Sequence, residues 1–324
     1  MHIQNELIKI IEDAVSHYAS DIHFTLNDDG LVIVNLRIGT TMVAQKTIDL
    51  ERYNQLLTFI KFRASLNFAH PLQPVSGSIT ISDDSHTSHC RVSIIPTLKF
   101  QSLVLRIINN NLIKKIEQIP YFKENRIILK NIAKKESGLI LIGGPTGSGK
   151  TTTAYALIDF IKSLDKSIIT IEDPIEYQQK DVIQIQVNEN AGMNYDVGIK
   201  EILRHDPDVI VIGEIRDQNT AKQAIRAALT GHLVISTIHS KDNLGTIYRL
   251  LDLGISKMDI SQSLTALLNQ RLVNENDFKK ALFEFTDGQN LENIMQQIIE
   301  DNVHYLPYKT LDEEFLLWKA NQEK

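Results

Sequence analysis

The sequence holds one cysteine, Cys90, among its 324 residues. That excludes an internal disulfide and any zinc site built from cysteine pairs, so no zinc is expected, and it fits a reducing compartment. A lone cysteine of this kind reads as a small packed hydrophobe rather than a reactive thiol. No apolar run approaches the roughly 20 residues that a membrane-spanning helix requires. The opening stretch MHIQNELIKIIEDAVSHYASDIHF is amphipathic and carries acids, unlike a signal or transit peptide, and the chain is expected in the cytosol with no transmembrane segment. Lysine and arginine form no long block and the net charge is -6, which argues against a surface that tracks nucleic-acid phosphates. No direct nucleic-acid binding is expected.

What the sequence does have is enough apolar residue, 43%, to bury a sizeable core, at a length that favours two domains. Residues 1–108 combine an opening helix, strand-like segments (LVIVNLRIG, GSITIS, CRVSIIP, SLVLRII) and one helical stretch, LERYNQLLTFIKFRASL, into a small α+β unit. Residues 109–121, opening on Asn109-Asn110-Asn111 and containing Pro120, read as a linker. From 122 to 324 strands without polar alternation (LILIG, SIITIE, VIQIQV, VIVIG, HLVIST) are separated by helical patterns, and helices are expected after the last of them. That grammar predicts a doubly wound α/β domain with a mostly parallel sheet, and with ligands at the carboxyl ends of its strands.

The strongest chemical signal stands where the first of those strands ends. Gly143-Gly144-Pro145-Thr146-Gly147-Ser148-Gly149-Lys150-Thr151-Thr152 satisfies G-x-x-x-x-G-K-[ST] between a strand and a helix, the context this motif requires. Residues 144–152 are therefore expected to bind ATP or GTP. The glycines let backbone N–H groups curl around phosphates, Lys150 on an exposed loop reaches the β- and γ-phosphates, and Thr151 offers its hydroxyl to magnesium. Two further strand ends carry acids. After SIITI come Glu172, Asp173 and Glu176; Glu172 and Asp173 read as magnesium shell through water, and Glu176 as a candidate base. The other strand, Val209-Ile210-Val211-Ile212, ends in Gly213-Glu214, with glycine where many ATP-hydrolysing proteins place an aspartate for magnesium. The missing charge has to come from elsewhere or the nucleotide is not hydrolysed.

GPTGSGKTTT, ITIEDPIEY, LRHDPDVIVIGEIRD and ALTGHLVISTIHSKD follow in the order and spacing of the type II secretion and type IV pilus assembly ATPases, and the likeness extends through Gln270-Arg271-Leu272-Val273. The chain resembles that family of hexameric P-loop motors. The resemblance implies a RecA-like P-loop domain preceded by a smaller PAS-like α+β domain, with ATP and Mg2+ as cofactors. It makes Gly213 ordinary and puts the catalytic load on Glu214 with the acids of the Asp box, Glu172 and Glu176 included, without deciding which Asp-box carboxylate is the base. In the His box it favours His239 as a phosphate sensor, while His232, at the start of its strand, reads as structural.

ASDIH at 19–23 is similar to the segment that opens the family's N-terminal domain, and Cys90-Arg91-Val92-Ser93 to Leu105-Arg106 to its arginine-bearing strand pair, which implies that Arg91 and Arg106 approach the γ-phosphate. Arg204 is a further candidate, although pairing within its own helix is its ordinary role. The form of GEIRD, Gln184–Asn188 and Arg249–Ile255 look like the assembly branch, and the closest resemblance is to the competence pseudopilus ATPases of Gram-positive bacteria. That implies a homo-hexamer at the inner face of the cell membrane, working on a polytopic membrane platform protein. A pilus retraction motor, or an ATP-bound scaffold with vestigial hydrolysis, are the alternatives.

Overall fold

The computed structural model describes residues 3–64, 66, 72–82, 87–108, 115–275 and 278–322. Asn109-Asn110-Asn111 of the expected linker lies outside the described residues. The chain divides into two compact units, residues 1–112 with 174–178, and residues 113–173 with 179–324.

In the first unit helix α1 (Ile3–Ser16) leads into β1 (Asp21–Leu26), β2 (Leu31–Ile38) and β3 (Thr41–Asp49). Helix α2 (Leu50–Arg63) follows, then β4 (Val75–Ser82), β5 (Thr87–Pro96) and β6 (Gln101–Ile108). The strands form one antiparallel six-stranded sheet in the order β3-β2-β1-β6-β5-β4. Alternate residues, Ile22 and Phe24, Val32, Val34 and Leu36, Val92 and Ile94, Leu103 and Leu105, are buried against the apolar stripes of α1 (Leu7, Ile10, Ile11, Ala14) and α2 (Tyr53, Leu56, Leu57, Ile60). Cys90 belongs to this core, and burial pushes its thiol up to about 12, so it packs as a hydrophobe.

The second unit runs α3 (Asn125–Ala133), β7 (Gly138–Gly143), α4 (Lys150–Lys162), β8 (Ile168–Glu172), β9 (Ile183–Gln186), α5 (Tyr195–Ile202) and β10 (Val209–Ile212). It continues with α6 (Gln218–Leu229), β11 (Leu233–Ile238), α7 (Asn243–Asp252), α8 (Lys257–Ser263), β12 (Leu264–Glu275), β13 (Phe278–Asp287), α9 (Gly288–Ile299) and α10 (Leu311–Gln322). Its seven-stranded sheet has the order β13-β12-β7-β11-β10-β8-β9, parallel except for β13. Strands β7, β8, β10 and β11 are buried along their whole length, as a sheet covered on both faces demands. The helix starts are fixed locally: Asn194, Asp217, Asp242 and Ser256 each accept a hydrogen bond from a backbone N–H three residues on, opening α5, α6, α7 and α8. Asp217, the last residue of GEIRD, thus serves as a cap.

One expectation is overturned beyond β11. The sequence there reads as helices alone, whereas β12 and β13 form a long hairpin that joins the sheet through β7. LTALLNQRLV has apolar residues at helical intervals, but a strand covered on both sides carries no alternation to set it apart from a helix. The hairpin also ties down the last helix: Glu284 of β13, 1% exposed, accepts from the backbone N–H of Asn243 at 2.7 Å and of Leu311 at 2.8 Å, so one carboxylate caps α7 and α10 together. Among the described residues no helix is long and apolar enough to cross a membrane.

Candidate active site

Strand β7 ends at Gly143, and the loop to α4 is shaped by positive φ at Gly144 (144°), Gly147 (77°) and Gly149 (88°). Gly144 is needed twice over, because a Cβ there would also lie 2.9 Å from the Gln270 carbonyl oxygen. Lys150 is not on the exposed loop that its motif suggests. It is 9% exposed, its ammonium donating to the carbonyls of Gly144 at 2.8 Å and Pro145 at 3.0 Å. Burial lowers its pKa, and the nearby charge of Glu214 opposes that shift. Thr151 and Thr152 follow it in the first turn of α4, both partly exposed. Ser148 is buried, and its carbonyl accepts from Gln270 Nε2 at 2.6 Å.

The chain leaving β10 is stitched to β11. Thr237 Oγ1 donates to the Gly213 carbonyl at 2.7 Å, and the Ile215 N–H donates to the Thr237 carbonyl at 2.9 Å. These bonds fix Glu214 between a guanidinium and an imidazole. Arg216 reaches its Oε2 at 2.9 Å, and His239 Nε2 stands 3.1 Å from its Oε1. Glu214 is 16% exposed at the side chain, a carboxylate with a restricted view of solvent that faces the phosphate-loop lysine electrostatically. The structure therefore brings Lys150, Glu214 and His239 together at the carboxyl ends of β7, β10 and β11. His232 stands at the other end of β11, its Nδ1 beside the Thr230 hydroxyl and the Ala227 carbonyl, both at 3.2 Å, where it closes the end of α6.

The Asp box is arranged differently from its sequence reading. Glu172, expected as magnesium shell and catalyst, is 6% exposed and turned inward. Tyr155 Oη donates to its Oε2 at 2.5 Å, and Thr170 Oγ1 and Gln184 Nε2 to its Oε1 at 2.6 and 3.1 Å. A carboxylate with both oxygens engaged by protein donors has little left for a cation shell. Asp173, the next residue, is exposed. Glu176 is partly buried in the segment 174–178 that groups with the first unit.

In that first unit Arg91 and Arg106 face each other across β5 and β6. Arg91 is exposed; Arg106 donates through Nε to Asp21 Oδ1 at 2.8 Å. Burial pushes the Asp21 carboxyl up, but hydrogen bonds from Arg106 and Ser20 with the Arg106 charge outweigh it and hold the group below its ordinary range. Arg204 pairs with Glu201 at 2.5 Å, three residues earlier.

Tyr195, at the start of α5, was not singled out by sequence. A Cβ at Gly213 would stand 3.2 Å from Tyr195 Oη and 3.3 Å from Glu172 Cα, so the space an aspartate side chain would enter is already taken. Burial, with the charges of Asp173, Glu172 and Glu214, raises the phenol's pKa and keeps it a neutral donor. Gln270 was visible only as part of the QRLV continuation. Among the described residues no group of three or more His, Cys, Asp or Glu side chains is placed to hold a metal ion by itself. A threonine hydroxyl such as that of Thr151 and an exposed carboxylate such as that of Asp173 are the kinds of oxygen ligand that magnesium takes alongside waters and substrate phosphates.

The type II/IV secretion system protein family model matches residues 1–304. The competence protein ComGA of Bacillus subtilis (strain 168) is 36% identical over 321 residues, 93% of this chain and 90% of that protein. The type II secretion system protein E of Aeromonas hydrophila is 39% identical over 265 residues, 82% of this chain and 53% of the relative. Among solved structures, the pilus retraction motor PilT with bound ADP is similar at a TM-score of 0.75 and 28% identity, covering 90% of this chain and 88% of that one. With the phosphate loop, Glu214 and His239 converging at one edge of a mostly parallel sheet, these likenesses make the chain a member of the type II/IV secretion system ATPases.

Proposed function

We propose that this ATPase is the hexameric motor of a competence pseudopilus, working at the inner face of the cell membrane on a polytopic platform protein to drive filament assembly for DNA uptake. The observation that carries the catalytic part is the placement of Glu214 between Arg216 and His239, within electrostatic reach of Lys150. Residues 144–152 hold the triphosphate, and Lys150 leaves the loop carbonyls for the phosphates. Glu214, not Glu176, orients the attacking water and accepts its proton, and His239, sharing the Glu214 carboxylate, responds when the γ-phosphate departs. Thr151 and Asp173 would hold magnesium, which when bound offsets the charge that builds on the phosphates. Glu172 sets the shape of this edge without touching the reaction.

The competence reading is supported by the end-to-end likeness to the Bacillus subtilis protein. The likeness to PilT favours a second reading, retraction of a filament by the same chemistry. In either case residues 1–108, the linker 109–121 and the motor domain 122–324 act as one machine, with Arg91 and Arg106 completing an active site only in the ring, where Arg106 exchanges Asp21 for phosphate. Lys150→Ala should abolish hydrolysis. Wild-type specific activity should rise with protein concentration as rings form, and Arg106→Ala should stay low at every concentration with an unchanged circular dichroism spectrum. Concentration-independent turnover, unaltered in Arg106→Ala, would overturn the ring-completed site. In the source bacterium, loss of filaments and of transformation in Lys150→Ala cells supports assembly, and accumulation of filaments supports retraction.

A further inference from the structure

Strand β12 places two polar side chains, Asn269 and Gln270, fully buried among apolar neighbours that include Leu267, Leu268 and Val273. A strand required only to fill a core would carry apolar residues at both positions, because a buried carboxamide is costly unless its hydrogen bonds are made. Successive residues of a strand point to opposite faces. Asn269 Nδ2 meets Ser240 Oγ at 3.1 Å and Thr246 Oγ1 at 3.0 Å, beside the start of α7. Gln270 turns to the phosphate loop, where its Nε2 donates to the Ser148 carbonyl at 2.6 Å. The approach is close enough that a Cβ on Gly149 would stand 3.1 Å from that nitrogen. Gln270 Oε1 has no hydrogen-bond partner among the described residues, so the carboxamide is kept for one bond to the loop while its other end goes unsatisfied.

That bond fixes a direction. A peptide unit is planar and trans, so its carbonyl and the following N–H point to opposite sides. Holding the Ser148 carbonyl against Gln270 of β12 turns the Gly149 N–H to the opposite side of that peptide. We infer that Gln270 is a positioning residue for the nucleotide phosphates: it sets the Ser148–Gly149 peptide before nucleotide arrives, so that the loop binds without the cost of being ordered. Gln270 touches no phosphate and acts only through the loop.

The test uses the full chain with Gln270→Met and Gln270→Leu, which remove the donor and keep an apolar side chain of similar volume, and Gln270→Glu, which keeps the shape and puts an acceptor where the donor was. ADP affinity, KM and kcat for ATP, thermal midpoint and amide exchange would be measured. Met and Leu should weaken ADP binding and raise KM about tenfold, about 1.4 kcal/mol. The kcat should stay within about threefold, and residues 147–150 should exchange faster while β7 and β10 keep their protection. Glu should bind ADP more weakly than Met, because its carboxylate faces a carbonyl beside a phosphate site. ADP affinity within twofold of wild type in Met and Leu would overturn the inference. So would loss of protection across the whole sheet, or unfolding of all three variants, since Gln270 would then serve the fold and not the loop.

Discussion

Glu172 and Glu214 leave neighbouring parallel strands, β8 and β10, at the same edge of one sheet, and the protein treats them in opposite ways. Glu172 is sealed by three side-chain donors, whereas Glu214 keeps a window to solvent between Arg216 and His239. Both are Glu, so the difference lies in what surrounds each. A carboxylate enclosed by hydroxyls and an amide is an anchor and expensive to remove; one flanked by a guanidinium and an imidazole keeps access to solvent, as the proposed catalytic role of Glu214 requires.

The sharpest way to break this contrast is to remove each charge in turn. Glu214→Gln should keep nucleotide binding and thermal midpoint but lower kcat on the order of a hundredfold or more, because the amide preserves shape and loses basicity. An unchanged kcat would shift the base to Glu176. Glu172→Ala should do the reverse. It removes the shared acceptor of the Tyr155 and Thr170 hydroxyls, at about 2–4 kcal/mol, and should lower the unfolding midpoint by about 5–10 °C, with kcat per folded molecule within about threefold. If Glu172→Ala instead abolished hydrolysis at an unchanged midpoint, Glu172 would be part of the chemistry as its sequence context suggests.

A third carboxylate, Asp21 in the first unit, gives the smallest effect. Its side chain is 6% exposed but its partner Arg106 is 67% exposed, so the pair is half in water and worth about 1 kcal/mol or less. Its folded pKa is depressed, so its stabilisation is present above the unfolded value of about 3.9 and is lost as pH falls through the folded one. Arg106→Ala should therefore melt slightly below wild type at pH 7, with the gap closing as pH falls below about 4. A gap independent of pH would mean that Arg106 supports the sheet by packing alone.

The phosphate loop, the Glu214 strand end and the His239 strand end were legible in the sequence because each depends on residue types at fixed local spacing. The mostly parallel sheet was legible for the same kind of reason: four of its strands are short, largely apolar segments between helical patterns. The β12–β13 hairpin was not, since its central strand shows neither alternation nor a composition that excludes a helix. The inward turn of Glu172 was hidden as well. It depends on Tyr155 and Gln184, which reach it from a different helix and a different strand. Lys150 illustrates the same limit on a smaller scale: its motif implies a phosphate partner, and only the fold shows the ammonium on the carbonyls of Gly144 and Pro145.

Gly213 and Tyr195 share one volume, and this makes the order of substitutions matter. An aspartate at 213 would crowd the Tyr195 phenol and the backbone of β8, each of which would have to give by a few tenths of an ångström. The easier route begins at 195, with a smaller residue that empties the space before the acid enters it. Glycine at 213 is thus favoured by a tyrosine 18 positions earlier in the chain.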